Sequence, residues 1–97
     1  MAKKTYGKTT KTCRVTFEFP AQVAAETVSV CGDFNDWSPD EHPMTRRKNG
    51  RFSVTISLPT DQTYRYRYLV DGDHWENDED AEKVHNPFGT EDCLLSV

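Results

Sequence analysis

The stretch VSVCGDFNDW, residues 28–37, predicts a short β-strand that runs into a tight polar turn. Val28 and Val30 alternate and therefore share one face of the strand. A glycine followed by acidic and amide residues then breaks the strand and turns the chain. Phe34 is the apolar residue inside the turn, and we expect its ring to close the end of the core. Trp37 follows in a loop, where its ring is either a binding platform or a lid on the core.

Three further segments alternate apolar and polar residues in the way that half-buried strands do. They are residues 13–19, 51–58 and 63–70, and a short terminal strand is predicted at residues 93–97. The Asn49-Gly50 pair predicts a hairpin. Short strands separated by turn signals, without helical periodicity, indicate an all-β sandwich.

Length and charge limit the classes of function. A chain of 97 residues predicts one domain, which we place at residues 12–97 behind a flexible basic tail at residues 1–11. The net charge of −4 argues against nucleic acid as a partner. No apolar run is long enough to cross a membrane, and no secretory signal is evident, so a cytoplasmic location is expected.

The cysteines and acidic residues give no sign of a cofactor. Cys13, Cys31 and Cys93 have no metal-ligand spacing and are interpreted as free thiols, with one disulfide as the alternative. The carboxylates of residues 71–82 match a calcium loop only in part, because glycine is missing from the sharp turn. We therefore expect neither a metal nor a cofactor.

Catalysis is not indicated by any motif. The chain has no nucleophile elbow, no HExxH, no P-loop and no glycine-rich dinucleotide turn. A small hydrolase would need two carboxylates converging in a cleft, and the acidic stretch at residues 73–82 is more simply a solvated loop. The expectation is a protein that is not an enzyme.

The two tryptophans are the candidate binding groups. Trp37 and Trp75 each fall in a predicted loop just after a strand, where two rings near one end of a sandwich can face a ligand with flat apolar surfaces, such as a sugar. Arg67, predicted on the solvated face of its strand together with Arg65 and Leu69, is a long hydrogen-bond donor. The alternative is that both tryptophans are buried in the core.

Four segments together resemble one known family. VSVCGDFNDW, PMTRRKNGRF, YRYRYLVDGDHW and NPFGTEDCLLSV, in this order, are similar to family-48 carbohydrate-binding modules. That family includes the early-set domain of isoamylases and glycogen branching enzymes and the glycogen-binding domain of the AMP-activated kinase beta subunit. The resemblance runs from about residue 14 to residue 97. It implies an immunoglobulin-like, early-set antiparallel β-sandwich that binds α-1,4-linked glucans such as glycogen, starch and maltooligosaccharides.

The resemblance also implies a set of carbohydrate-binding residues. They are Trp37, Arg67, Trp75, Phe88, Thr90 and Asp92. In the family the two tryptophans stack on sugar rings, and the phenylalanine and threonine positions line the same site. Arg67 stands where the kinase domains have a lysine that donates to sugar hydroxyls, and Asp92 stands where they have a sugar-binding asparagine.

The sequence therefore predicts a free-standing, non-catalytic module that binds α-glucan by aromatic stacking. The alternative is a regulatory module that docks on a glycogen-metabolising enzyme and binds no glycan, with the basic residues 46–48 and the acidic loop supplying complementary charge. Exposure of Trp37 and Trp75 on one shared face is the observation that distinguishes the two hypotheses.

Overall fold

The computed structural model describes residues 2–6, 11–20, 25–78 and 81–97. This part of the chain contains nine strands and one 3₁₀ turn. They are β1 (Ala2–Tyr6), β2 (Thr12–Phe19), β3 (Val28–Gly32), the 3₁₀ turn (Asp33–Asn35), β4 (Thr45–Arg46), β5 (Phe52–Pro59), β6 (Thr63–Val70), β7 (His74–Glu76), β8 (Glu82–His85) and β9 (Glu91–Ser96). Across the described ranges, no helix is long and apolar enough to span a membrane.

The strands form two antiparallel sheets. The first sheet has the order β1-β2-β5-β4, and the second has the order β3-β6-β9-β8. β7 pairs with β6 beyond the point where β9 ends. One apolar cluster contains residues from both sheets. The prediction of an all-β, immunoglobulin-like antiparallel sandwich is confirmed.

Alternating side chains of the long strands fill the core between the sheets. On β2, Cys13, Val15 and Phe17 are fully buried, and on β6 the three tyrosines and Val70 point the same way. The Phe17 ring meets the Tyr66 ring edge-on, with 5.1 Å between centroids. Burial of one such large side chain stabilises the fold by about 1.5–3 kcal/mol. The apolar residues that alternate in the sequence are therefore the residues that form the core.

Phe34 closes one end of this core, as the sequence predicts. Its ring lies 5.7 Å from the ring of Phe17 and 6.0 Å from the ring of Tyr64, measured between centroids. Because Phe34 belongs to the 3₁₀ turn after β3, its packing fixes that turn against both sheets.

The N-terminal segment differs from its prediction. Residues 2–6, within the predicted flexible tail at residues 1–11, pair with β2 along the edge of the first sheet. The Lys4 ammonium donates to the carbonyl of Ser96 at 2.8 Å. This strand pairs through backbone hydrogen bonds and lies at an edge, so its lysine- and threonine-rich sequence shows no alternation that could predict it. Residues 1 and 7–10 of that predicted tail are outside the described residues, whereas Lys11 is described and its carbonyl accepts the backbone N–H of Thr60.

The acidic stretch at residues 73–82 also differs from its prediction as one loop, because it contains β7 and ends on the first residue of β8. Leu69 was expected on a solvated face, yet its exposed fraction is 7%. Its directly opposed neighbour across the β6–β7 pair is Trp75, and opposed residues of an antiparallel pair share a face. The side chain of Trp75 therefore lies beside Leu69, on the face of β6 that the sequence predicted to be solvated.

The three cysteines are free, as predicted, and the structure shows that all three are buried. Burial raises the pKa of the Cys31 thiol to about 11, and the negative charge of Asp40 adds to the effect. The Cys31 sulfur lies 3.3 Å from the carbonyl oxygen of Ser38. We therefore interpret the Cys31 thiol as a buried packing group near the end of β3 and not as a reactive group.

The backbone of Gly32 lies close against β6. A Cβ atom at this position would clash with the carbonyl oxygen of Arg65 and would lie 2.9 Å from Cβ of Tyr66 and 2.8 Å from the Phe34 ring. The backbone of Gly32 is extended, with φ at −172°. Glycine is therefore required at this position because neighbouring atoms leave no room for a side chain, and not because of the backbone conformation.

Replacing Gly32 tests this packing. Gly32→Ala is expected to lower the free energy of unfolding by about 1–3 kcal/mol, because the β6 backbone must move to admit a methyl group. Urea denaturation measures the difference. The matched control is Gly72→Asn, at a position with φ of +78° where a Cβ would meet no atom within 4 Å and where asparagine is tolerated. Equal stability of Gly32→Ala and the parent chain would contradict the prediction.

Thiol labelling tests the environment of Cys31. At pH 8 a thiol with a pKa near 11 is thiolate in only about one molecule in a thousand, whereas an unfolded cysteine is about one-quarter ionised. Labelling of Cys31 with iodoacetamide, followed by peptide mass spectrometry, should be at least about a hundredfold slower in the folded protein than in urea. Above pH 9 the labelling rate of Cys31 in the folded protein should continue to rise with pH, whereas the rate in urea should level off because the unfolded thiol is already ionised. Comparable rates at pH 8 would show that Cys31 is not buried as described.

Candidate functional site

The turn after β3 is held by one buried amide, that of Asn35. Its Oδ1 atom accepts the backbone N–H of Gly32 at 3.0 Å, and its Nδ2 group donates to the carbonyl of Val30 at 3.1 Å. The same Nδ2 group donates to Nδ1 of His42 at 2.8 Å. The bonds to Gly32 and Val30 satisfy backbone groups on the edge of β3 that has no neighbouring strand. They fix the conformation from which Trp37 extends.

Trp37 has a left-handed backbone conformation, with φ of +59°, and Asp36 before it has φ of +54°. Such a conformation is rare and strained for a bulky residue, and it persists only when surrounding contacts enforce it. Here the Trp37 backbone N–H donates to the carbonyl of Gly32 at 2.9 Å. The indole Nε1–H donates to Oδ1 of Asp33 at 3.1 Å. Both the backbone and the ring of Trp37 are thus tied to the turn.

Asp33 connects this turn to β6. Its second carboxylate oxygen, Oδ2, accepts the backbone N–H of Arg65 at 2.9 Å. The pairing of β3 with β6 ends at Gly32 and Tyr66, so the Arg65 N–H lies just past the last pair. The side chain of Asp33 therefore occupies the place that a further strand residue would take, and it orients the indole of Trp37 at the same time.

Trp75 comes to the same surface from β7. The sequence placed it in a loop; the structure places it in a strand, directly opposite Leu69 of β6. Its exposed fraction is 39%, and Trp37 is half-buried. The two indole rings lie 6.2 Å apart between centroids and are inclined by 66°. Together they form an aromatic corner that is open to solvent and lies outside the core cluster.

Arg67 lies beside this corner. Its guanidinium carbon is 5.8 Å from the centroid of the Trp75 ring, within the range of a cation–π contact. Its Nε–H donates to Oδ1 of Asn77 at 2.8 Å. The guanidinium is therefore held over the second sheet while it carries further donors.

The connection between β8 and β9 forms the opposite side of the site and is organised by Asn86. The Asn86 Oδ1 atom accepts the backbone N–H groups of Phe88 and Thr90 at 3.0 and 3.2 Å. Its Nδ2 group donates to Oγ1 of Thr90 at 2.7 Å and to Oδ1 of Asp92 at 3.1 Å. One amide thus sets the turn and its two polar neighbours, while Phe88 projects from it with 89% of its surface exposed.

These elements surround one groove of about 480 Å³. Its lining residues are Asp33, Trp37, Arg65, Arg67, Trp75, Asn86, Pro87, Phe88, Thr90 and Asp92. All six residues that the sequence assigned to the site are among them. The other four, Asp33, Arg65, Asn86 and Pro87, were missed. Three of them carried only turn chemistry as a signal, namely an aspartate at the strand end and an Asn-Pro pair in a loop, whereas Arg65 was predicted on the same solvated strand face as Arg67.

The polar groups of the groove do not form a metal site. Within residues 2–6, 11–20, 25–78 and 81–97, no three histidine, cysteine, aspartate or glutamate side chains are grouped so as to hold a metal ion. The charged groups at the groove are two arginines and two aspartates. Aromatic faces, guanidinium donors, one hydroxyl and carboxylate acceptors suit a ligand that combines apolar faces with many hydroxyl groups.

Comparison with known proteins identifies related sequences. The curated relatives include 1,4-alpha-glucan branching enzyme GlgB 2 from two strains of Xanthomonas campestris pv. campestris, 8004 and ATCC 33913. Each is 43% identical to the chain over 47 residues, which is 47% of this chain and 6% of the enzyme. The chain thus matches only a small part of the length of these relatives.

A family model covers much more of the sequence. Residues 13–97 match the model described as the glycogen recognition site of AMP-activated protein kinase. The matched range contains every residue that lines the groove, and it contains both sheets apart from β1 and Thr12 of β2. The resemblance to carbohydrate-binding modules is confirmed, and the chain belongs to the family of glycogen recognition modules of AMP-activated protein kinase.

Proposed function

We propose that this protein binds α-1,4-linked glucans, such as glycogen, starch or maltooligosaccharides, without catalysing a reaction on them. Sugar rings stack on Trp37 and Trp75, and Arg67, Thr90 and Asp92 bond to their hydroxyls. Phe88 contributes an apolar wall. The observation that carries the proposal is the open aromatic corner, in which the two indoles share one groove at 6.2 Å and 66°.

The angle between the indoles supports an α-linked ligand. One face of a glucose ring consists of C–H groups, and these pack well against an indole face. Successive units of an α-1,4-glucan turn relative to one another, so the chain curves, whereas a β-1,4-glucan is a flat ribbon. Two inclined rings match successive faces of a curved chain, and a flat ribbon would need rings that lie in one plane.

The polar groups beside the corner suit hydroxyl groups. Arg67 supplies donors, Thr90 supplies a hydroxyl that both donates and accepts, and the carboxylate of Asp92 accepts. Asp92 is 6% exposed, and one of its oxygens already binds Asn86, so its position is fixed before any ligand arrives. Preorganised partners lose little entropy on binding.

The carboxylates of the groove support a role in binding rather than hydrolysis. Both oxygens of Asp33 accept hydrogen bonds, one from the Trp37 indole and one from the Arg65 backbone. Asp92 is held by Asn86. A glycosidase pair needs one carboxyl group to deliver a proton and the other to attack or to activate water. Here both carboxylates serve as fixed acceptors that shape the groove.

The alternative, docking on a glycogen-metabolising enzyme through the basic residues 46–48, has less support. Arg46 donates to the carbonyl of Ala25 and stacks on Phe52 with its guanidinium carbon 5.0 Å from the ring centroid. Arg47 donates through Nε to Oγ of Ser53 at 2.6 Å. These arginines therefore have structural roles within the chain. The glucan-binding proposal also includes a cytoplasmic location and a glycogen-metabolising enzyme as a partner.

Titration with maltoheptaose tests the proposal, with a cellulose oligomer as the control sugar. Backbone NMR shifts and tryptophan fluorescence should saturate with the α-linked sugar alone, at a dissociation constant of roughly micromolar to millimolar, and the shifts should centre on Trp37, Arg67 and Trp75. Trp37→Ala and Trp75→Ala should each weaken binding about tenfold or more, because stacking is lost.

Lys48→Ala is the matched control, since Lys48 is an exposed residue of the basic hairpin. It should bind maltoheptaose like the parent chain. The absence of any shift at tens of millimolar maltoheptaose would overturn the glucan proposal. Pull-downs in which the parent chain captures a glycogen-metabolising enzyme and Lys48→Ala does not would then favour the docking alternative.

A further inference from the structure

Asn77 connects three elements through one side chain. It lies two residues after Trp75, in the connection from β7 to β8, and it is half-buried. Its Oδ1 atom accepts Nε–H of Arg67 at 2.8 Å, and its Nδ2 group donates to the carbonyl of Glu91 at 2.9 Å. Arginine can only donate and a carbonyl can only accept, so the orientation of the Asn77 amide is determined by its partners.

The bond from Asn77 fixes the plane of the Arg67 guanidinium. An arginine side chain otherwise has many rotamers, and a bond at Nε restricts the whole planar group. The guanidinium then lies over the Trp75 ring, 5.8 Å from its centroid. Among the residues that the structure describes, neither Nη group of Arg67 has a hydrogen-bond partner. These donors are therefore positioned at the groove and are available to a ligand.

Asn77 is itself held in place by the residue after it. Asp78 is 7% exposed, and its carboxylate accepts the hydroxyls of Tyr66 at 3.1 Å and Tyr68 at 3.4 Å. Burial, followed by neighbouring groups that include the Asp78 charge, raises the pKa of both tyrosines, so both hydroxyls stay protonated as donors. The Asp78 backbone N–H lies 3.1 Å from the sulfur of Cys93. The backbone at Asn77 is thus anchored to the core independently of Arg67.

We propose that Asn77 is a positioning residue for sugar recognition: it orients the Arg67 guanidinium over Trp75 so that the Nη groups face the groove. Asn77 is not one of the groove-lining residues of the described chain, so it acts through Arg67 and not on the sugar. This inference rests on the proposed glucan-binding function. It adds a residue that neither the sequence motifs nor the groove lining identifies.

Two substitutions separate the two bonds of Asn77. Asn77→Ala removes both, whereas Asn77→Asp keeps an acceptor for Arg67 and removes the donor to Glu91. Maltoheptaose affinity should fall about five- to tenfold in Asn77→Ala and should stay within about twofold of the parent in Asn77→Asp. An equal loss in both variants would overturn the proposal, because the bond to Glu91 would then be the one that matters.

A double-mutant cycle tests whether Asn77 acts through Arg67. In an Arg67→Ala background, Asn77→Ala should change affinity by less than about twofold, because there is no guanidinium left to orient. A further five- to tenfold loss would overturn the proposal. The matched control is Asn49→Ala, which removes another asparagine that bonds to backbone, at the β4–β5 hairpin. It should leave affinity unchanged.

The sugar-free protein supplies a readout that does not depend on binding. Hydrogen exchange of the Arg67 Nε–H, followed by NMR, should be slow in the parent and in Asn77→Asp and fast in Asn77→Ala. Unchanged exchange in Asn77→Ala would overturn the positioning role. If the parent does not bind maltoheptaose, the glucan proposal fails, and this exchange measurement alone decides whether Asn77 orients Arg67.

Discussion

An edge strand leaves one row of backbone polar groups without a neighbouring strand, and the amide of Asn35 binds two of these groups on β3. It bonds Gly32, Val30 and His42 at once. Without it, the N–H of Gly32 and the carbonyl of Val30 would lose a bond in a region closed to solvent, which is strongly unfavourable. The Asn35 amide thereby supports the turn from which Trp37 extends, together with the bonds that Gly32 and Asp33 make to Trp37.

At the groove, short polar side chains place several of the groups that can meet a ligand. Asp33 orients the indole of Trp37, and Asn77 orients the guanidinium of Arg67. Asn86 sets the turn that presents Phe88 and Thr90. Each of these side chains also bonds to the backbone of a strand or turn, so the site is fixed by the same contacts that hold the second sheet together.

The extent to which the sequence predicts this structure depends on burial. β2, β5 and β6 alternate because one face of each is covered, and their positions were predicted to within a residue or two. β1 and β8 lie at sheet edges and β7 is three residues long, so packing imposes little pattern on them. The exposure of Leu69 was misjudged for this reason, since its neighbour on β7 could not be foreseen.

The residues of the site were predicted only in part from the sequence pattern. The six expected residues came from the family resemblance, whereas spacing alone left the tryptophans as either binding platforms or core residues. Asn77 carried no signal, since its partners on β6 and β9 become neighbours only when the sheet forms. Asn86 carried the signal of an Asn-Pro turn, which predicts a loop but not the residues that its amide binds.

The left-handed backbone at Asp36 and Trp37 has an evolutionary consequence. Glycine or asparagine at either position would relieve the strain, so stabilising substitutions are within easy mutational reach. Replacement at position 37 would also remove the exposed indole. A lineage released from selection for ligand binding would therefore be expected to drift toward a more relaxed turn.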